Sequence, residues 1–324
     1  MPDRPERVID GRTGGVAPCV SVVIPLYNRA NLIEATLRSV LAQHFQDFEV
    51  VVIDDGSKDE PEPVIRALAD PRIRYFRYQN AGSRIARNRG VDQARGTFIA
   101  FLDSDDLFLP HHLQTMIGLL QDNPDAVAYS QVIVRRAEGL ETIKPPRGRK
   151  PDETMAEYLM CGRGFVQTST VVMPATVARQ VRYRRDSAFG DDTDYAIRLE
   201  IAGHRFVMAE RPGVIWLDLA DPDRLSSRLG NRVKMAWLEE LRPHIPDRAY
   251  RGYVGWHVAK SVAQEHPLRA LRLYADAVVH GAYPPRLAGV VLLQILLPAR
   301  AYRRLADRWI AWRDNRTPAR QAGH

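Results

Sequence analysis

The stretch Gly96-Thr97-Phe98-Ile99-Ala100-Phe101-Leu102-Asp103-Ser104-Asp105-Asp106-Leu107 is an apolar run of strand length that ends in three carboxylates within four residues. An uninterrupted apolar run predicts a strand covered on both faces, as in a parallel sheet with helices on each side. Ligands of such sheets bind beyond the carboxyl ends of the strands, where this acidic cluster falls. Three acids at one strand end repel one another, and a divalent cation relieves the repulsion. Mg²⁺ or Mn²⁺ is typically held by one or two carboxylates, with substrate phosphates completing the shell. The stretch therefore predicts a metal–diphosphate site. The simpler alternative is that Asp105 or Asp106 caps the helix marked by Leu113, Met116, Ile117, Leu119 and Leu120.

Upstream, the pattern alternates. Val20-Ser21-Val22-Val23-Ile24-Pro25 reads as a buried strand. Asn28 or Asn31 is placed to cap a helix through Ile33, Leu37, Val40 and Leu41. Phe48 to Ile53 is a second strand, ending in Asp54-Asp55-Gly56-Ser57. A short helix from Pro61 to Ala69, a strand from Ile73 to Tyr78 and a helix from Arg84 to Ala94 lead back to the opening stretch. This order indicates βαβ units and a parallel sheet. Two strands then end in acids on one edge, at Asp54/Asp55 and at Asp103/Asp105/Asp106. Alone, the first cluster could be an acidic turn with glycine at a positive φ; the pairing argues for a site.

Val22-Val23-Ile24-Pro25-Leu26-Tyr27-Asn28-Arg29, Val52-Ile53-Asp54-Asp55-Gly56-Ser57, Ala86-Arg87-Asn88-Arg89-Gly90 and Phe101-Leu102-Asp103-Ser104-Asp105-Asp106 resemble, in order and separation, the motif series of family 2 glycosyltransferases of GT-A fold. The resemblance covers roughly residues 18–230. It implies a Rossmann-like, mostly parallel α/β sheet with flanking helices and an inverting transfer of sugar from a nucleotide-sugar, UDP-sugar being favoured. It also implies the site. Asp55 corresponds to the acid that accepts from the base; Pro25, Tyr27 and Asn28 would wall the nucleotide; Arg87 would lie near the base or diphosphate. Asp103 and Asp105 resemble the DxD pair that binds Mn²⁺ or Mg²⁺, with Asp105 the metal ligand, Asp103 also nucleotide-binding, and Asp106 near the donor sugar. Arg84, Arg87 and Arg89 have the alternative of a solvated helix face.

Past Asp125 the alternation breaks. Ala126 to Val134 is another strand, Arg135 to Asp152 a charged, Gly- and Pro-rich excursion, and Phe165 to Met173 a strand with Thr and Ser interleaved. Phe189-Gly190-Asp191-Asp192-Thr193-Asp194 then enters a helix ending near Gly203. Its acids exceed what capping requires. The segment is similar to the family's Gly-Glu-Asp segment: Asp191 stands for the Glu, Asp192 for the general base, and which of the two faces the acceptor is left open. Arg198 corresponds to a motif position that orients these carboxylates. Trp216 to Ser227 resembles a loop closing over the phosphates, with Arg224 able to reach the diphosphate; Asp218 supplies no third metal ligand.

The totals exclude several classes. Of the net charge of +7, the segment from Arg286 onward carries +6, as eight arginines against Asp307 and Asp314. A nucleic-acid reader would spread its basic residues over a folded face, so no nucleic-acid partner is expected. Two distant cysteines, Cys19 and Cys161, give no Cys/His metal spacing and read as reduced. Residues 1–17 contain no apolar segment of signal type and read as a disordered leader. Residues 18–229 form the transferase domain and 230–324 a helical region with breaks at Pro243, Pro246, Pro267 and Pro284–Pro285. No run of about 18 apolar residues predicts a span. Leu287 to Leu297, followed by arginines with Trp309 and Trp312, reads as an interfacial anchor on an anionic membrane, giving a cytoplasmic, peripheral location. The alternative is a helix packed on the domain.

Leu305-Ala306-Asp307-Arg308-Trp309 lacks the Gln of the motif found in processive synthases, so a single-transfer enzyme of cell-surface polysaccharide assembly, acting on a glycan or lipid-linked saccharide, is expected. A haloacid-dehalogenase phosphatase would carry Thr or Val where Leu107 stands, and a nucleotidyltransferase a Gly-rich first loop. The remaining rival is a non-catalytic sugar-nucleotide-binding or scaffold protein of the same fold.

Overall fold

In the computed structural model β2 (Val20–Leu26) lies at the centre of a parallel group, flanked by β3 (Phe48–Asp54) and β5 (Phe98–Phe101), with β4 (Ile73–Arg77) beyond β3. Residues 4–10, 17–136, 140–185, 191–217 and 231–298 are described, with 301, 302, 304, 305 and 308. Val22, Val23, Ile24 and Val50 to Ile53 are wholly buried, because helices cover both faces. Each such side chain contributes roughly 1.5–3 kcal/mol relative to exposure. The helices are α1 (Ala30–Leu41), α2 (Glu62–Ala67), α3 (Ser83–Gln93) and α4 (His112–Asp122).

The sheet is mixed rather than parallel throughout. Beyond β5 the strand direction alternates: β9 (Val171–Pro174) pairs antiparallel with both β5 and β7 (Val127–Arg135), so β7 again runs with β5, and β10 (Phe206–Leu217) pairs antiparallel with β6 (Leu107–Phe108). With β1 spanning Arg7–Asp10, the order is β1-β4-β3-β2-β5-β9-β7-β10-β6, with β8 (Glu141–Lys144) on β7. Thus the predicted excursion over 135–152 contains a strand. The predicted strand from Phe165 is instead a 3₁₀ turn at Thr168–Thr170 leading into β9.

The disordered-leader expectation fails over part of its range. Arg7–Asp10 form β1, antiparallel to β4. Asp10 pairs with Arg74 at 3.0 Å and Arg95 at 2.7 Å, and Arg7 with Glu62 at 2.6 Å. The buried Arg74 guanidinium, also 3.0 Å from Glu49, needs this second carboxylate. Neither Asn28 nor Asn31 caps α1: the N-cap is Arg29, and the Asn28 side-chain oxygen accepts from Lys58 N at 2.8 Å. Asp105 and Asp106 do not cap α4, whose N-cap is His111.

Residue contacts group the chain into two compact units. One comprises 1–134, 143–149 and 165–218, the other 135–142, 150–164 and 219–324. The second unit thus takes two excursions from the expected domain 18–229. It contains α5 (Met155–Met160), whose following Cys161 donates its thiol to Arg248 O, and the C-terminal helices. These are α8 (Asn231–Leu241), α9 (Asp247–Tyr253) continuing through a π turn at Val254–Val258 into α10 (Ala259–Val262), α11 (Pro267–Val279) and α12 (Pro285–Leu296). The first unit also holds α6 (Ala175–Gln180) and α7 (Asp191–Ile201).

Helix α3 lies directly on β2. A Cβ added at Gly90 would sit 2.2 Å from Cγ1 of Val23. Gly90→Ala is expected to cost about 1–3 kcal/mol through overpacking, read as a lower urea-unfolding midpoint; an unchanged midpoint would count against this close approach.

Candidate active site

Asp54 and Asp55 end β3 in a tight turn. Gly56 has φ +78°, and a Cβ there would come within 3.0 Å of Asn80 N, so the turn requires glycine. Asp54 is wholly buried, accepting from Ser57 N at 2.8 Å and Tyr75 OH at 2.5 Å. Asp55 is 2% exposed; its carboxylate accepts from Ala81 N at 2.9 Å, Gly82 N at 2.7 Å and Arg89 Nη1 at 3.0 Å. Burial raises its pKa, opposed by the two backbone N–H groups and Arg89. Asp55 therefore shapes the loop that opens α3. Beside it Pro25 is buried and Tyr27 exposed. Asn28, at φ 51°, donates its backbone N–H to Ser57 Oγ at 3.0 Å.

Helix α3 carries the cations inward, not onto a solvated face. Arg87 is 5% and Arg89 8% exposed. Arg87 Nη2 donates to Asp103 Oδ1 at 2.6 Å, its Nη1 lies 3.5 Å from Asp191 Oδ2, and its guanidinium sits over the Tyr183 ring at 5.2 Å. Burial opposes the charge, but Asp103, Tyr183, Asp191 and Asp192 together raise the Arg87 pKa. Nε and Nη1 make no hydrogen bond. Arg84 pairs with Asp191.

The three acids after β5 divide by role. Asp103 and Asp105 keep 29% and 40% side-chain exposure, and Asp105 lies 3.9 Å from Arg29. Asp106 is 1% exposed: Oδ2 accepts from Gln167 Nε2 at 2.5 Å and Ser169 Oγ at 2.6 Å, and Oδ1 has no hydrogen bond. Burial, then Asp103 and Asp105, push its pKa well up. Its carboxylate is turned into the protein, so the structure does not present it on an open face as a donor-sugar contact. Among the described residues no three His, Cys, Asp or Glu side chains form a metal cluster. Asp103 and Asp105 are hard, solvent-reachable oxygen donors. They fit a Mg²⁺ or Mn²⁺ ion whose shell a diphosphate completes, rather than an all-protein cage.

Asp192, at the start of α7, is half-buried and accepts from Thr168 Oγ1. Burial raises its pKa to about 6, opposed by the Thr168 hydrogen bond and Arg87 and aided by Asp103 and Asp191. A carboxyl so placed is ionised at neutral pH, with raised proton affinity. Arg198 does not orient Asp191 or Asp192: it binds Asp194 at 2.7 Å and Arg182 O at 2.8 Å, because i,i+4 spacing favours Asp194. Arg224 and Asp218 lie outside the described residues.

The structure thus brings Asp103, Arg87, Asp191 and Asp192 together, with Asp55 tied to the same helix through Arg89. Sequence reading missed the Gln167–Thr170 turn, which contacts Asp103, Asp106 and Asp192. Four consecutive polar residues inside an apolar run were the available signal.

A family model described as Glycosyl transferase family 2 matches residues 21–181. The chain is 30% identical over 256 residues, 72% of its length and 82% of the relative's, to the amylovoran biosynthesis glycosyltransferase AmsB of Erwinia amylovora. The chain belongs to glycosyl transferase family 2. This glycosyltransferase is also 41% identical over 104 residues to the GalNAc(5)-diNAcBac-PP-undecaprenol beta-1,3-glucosyltransferase of Campylobacter jejuni, covering 31% of this chain and 34% of that one. Its fold is like that of S. aureus TarS residues 1–349, with TM-score 0.59 at 18% identity over 91% of each chain. A crystal structure of the same TarS segment with UDP-GlcNAc gives TM-score 0.58 at 17% identity, over 91% of this chain and 92% of that one. The GT-A-like α/β architecture expected from the motifs is therefore present in the transferase.

Arg87→Ala would leave Asp103 and Asp191 facing one another without their shared cation. A loss of about 1–3 kcal/mol is expected, measured by urea unfolding; a wild-type midpoint would show that the guanidinium holds nothing in place.

Proposed function

We propose that the protein is an inverting, metal-dependent glycosyltransferase that moves one sugar from a nucleotide-sugar, with UDP-sugar favoured, to a hydroxyl of a glycan or lipid-linked saccharide. The reading rests above all on the gathering of Asp103, Asp191 and Asp192 around the buried Arg87. A polysaccharide-biosynthesis relative and one whose name includes an undecaprenol-linked saccharide support the acceptor class, and the TarS complex titled with UDP-GlcNAc supports the donor class.

The nucleotide is assigned to the strand-end groove bounded by Pro25, Tyr27, Asn28 and the Asp55-supported loop. The buried Arg87, held against Asp103 at 2.6 Å, supplies positive charge beside the diphosphate position. Asp105, with Asp103, would hold Mn²⁺ or Mg²⁺, which supplies neutralisation of charge on the leaving diphosphate. Asp192 takes the acceptor hydroxyl proton. The hydroxyl oxygen then bonds to the anomeric carbon as the carbon–oxygen bond to the diphosphate breaks, and the electron pair leaves with the diphosphate. Attack from the opposite face inverts the centre without a covalent enzyme intermediate. Asp191, held by Arg84 and Arg87, is the neighbouring carboxylate that adds, after burial and Asp103, to the raised proton affinity of Asp192.

Of the expected anchor Leu287 to Leu297, Leu287, Val291 and Ile295 are buried while Leu293 and Leu296 are exposed, and Trp309 and Trp312 lie outside the described residues. Leu293 and Leu296, with the exposed Leu268 and Val279 of α11 and its exposed Arg269 and Arg272, support peripheral contact with an anionic membrane on the cytoplasmic face. Among the described residues no helix is long and apolar enough to cross a membrane. Binding to phosphatidylglycerol vesicles but not to phosphatidylcholine vesicles is expected in co-sedimentation, with loss in Leu268→Glu/Val279→Glu. Equal sedimentation with both lipids would remove the anionic-surface assignment.

A nucleotide-sugar panel, followed by nucleotide release with Mn²⁺, Mg²⁺ or chelator, tests the catalytic reading. Release from one donor, lost on chelation and reduced about 10²–10⁴-fold in Asp192→Asn, is expected. Because a raised carboxyl pKa leaves the base protonated at low pH, kcat/KM should fall as pH drops through about 6 and level off above it. Donor binding without release under every condition would favour the non-catalytic scaffold.

A further inference from the structure

We propose that Thr168 is a positioning residue that orients the Asp192 carboxylate, and that Tyr183 holds Thr168 in turn; the proposal rests on Asp192 acting as the base. Thr168 is 2% exposed and has one hydroxyl hydrogen, which it donates to Asp192 Oδ1. The same oxygen lies 3.1 Å from Tyr183 OH. Since the Thr168 hydrogen is committed, the Tyr183 hydroxyl is the donor in that pair, and the chain runs Tyr183 to Thr168 to Asp192.

Both ends of this chain are fixed. The Tyr183 ring stacks on Tyr195 at 4.0 Å and meets Phe101 edge-on at 5.5 Å, with Arg87 over it. Its backbone is clamped by Asn88, which donates to Tyr183 O at 2.8 Å and accepts from Tyr183 N at 3.0 Å. Thr168 opens the 3₁₀ turn whose Ser169 hydroxyl accepts from Asp103 N at 3.0 Å and donates to Asp106 at 2.6 Å. One short turn therefore connects the backbone of the DxD segment to the base. With Oδ1 of Asp192 engaged by Thr168, Oδ2 is the oxygen left for the acceptor proton. Beside the pair is a recess walled by Val171, Tyr195, Leu199 and Phe206. The charged groups acting on Asp192 are Asp103 beyond β5, Arg87 on α3 and Asp191 on α7.

Thr168→Val keeps the shape and removes the hydroxyl. It is expected to lower kcat about ten-fold, the scale of one hydrogen bond to a charged group, with the donor KM unchanged. The acid limb of kcat/KM should move to higher pH, because the lost bond favoured the carboxylate. Thr168→Ser should restore both, and Tyr183→Phe should give a smaller loss that does not add to that of Thr168→Val. Wild-type kcat and acid limb in Thr168→Val, or no rescue by Thr168→Ser in protein with a wild-type melting temperature, overturns the proposal. If Asp192→Asn is inactive in the same assay, either overturning result leaves the base assignment standing; full transfer by Asp192→Asn removes that assignment and the proposal together.

Discussion

A guanidinium buried among carboxylates is the constraint on which the site depends. Burying an isolated charge is prohibitively costly, and burying one with surrounding opposite charges is tolerable only when geometry is held closely. Arg87 meets that condition by drawing on acids from two places: Asp103 follows β5, and Asp191 opens α7 almost ninety positions later. The same field works in both directions. The acids raise the proton affinity of the arginine, and the arginine limits how far burial can neutralise Asp192. A carboxylate near pKa 6 is the compromise between burial on one side and the Thr168 hydrogen bond with a cation on the other.

The parallel half of the sheet supplies the rigid part of this arrangement. Leu26 is in register with Asp54, and Val23 with Phe101, so the two acidic strand ends emerge on one edge as neighbours of β2. Helix α3 is pressed onto β2 at Gly90, and from that fixed position it sends Arg87 to one cluster and Arg89 to the other. A looser helix would leave the two pairs free to separate. Close packing far from any ligand thus sets the electrostatics of the site.

Much of this was legible in the amino-acid order, because the parallel strands are uniformly apolar and the acids follow them directly. The helices between them were legible for the same reason, with boundaries within a few residues. What escaped had a different physical origin. β1 is four residues whose apolar content is two side chains, and it docks through Asp10 and Arg7 meeting charges some 55 to 85 positions away. The inward turn of Arg87 and Arg89 could not be read from a helix that is polar nearly all round. The role of Gln167 to Thr170 is visible only once three separate partners are in place around it. Arg198 shows the opposite case: its family position suggested one set of carboxylates, and local i,i+4 geometry selected another.

The short strand at the amino-terminal side also protects the sheet. With β1 seated, the outer row of backbone donors and acceptors on β4 is occupied. A shortened version of the polypeptide beginning at residue 17 would bare that row, together with the buried Arg74 deprived of Asp10. Exposed edges recruit strands from other molecules, so trimming this segment would trade solubility for self-association while leaving every residue of the cleft in place.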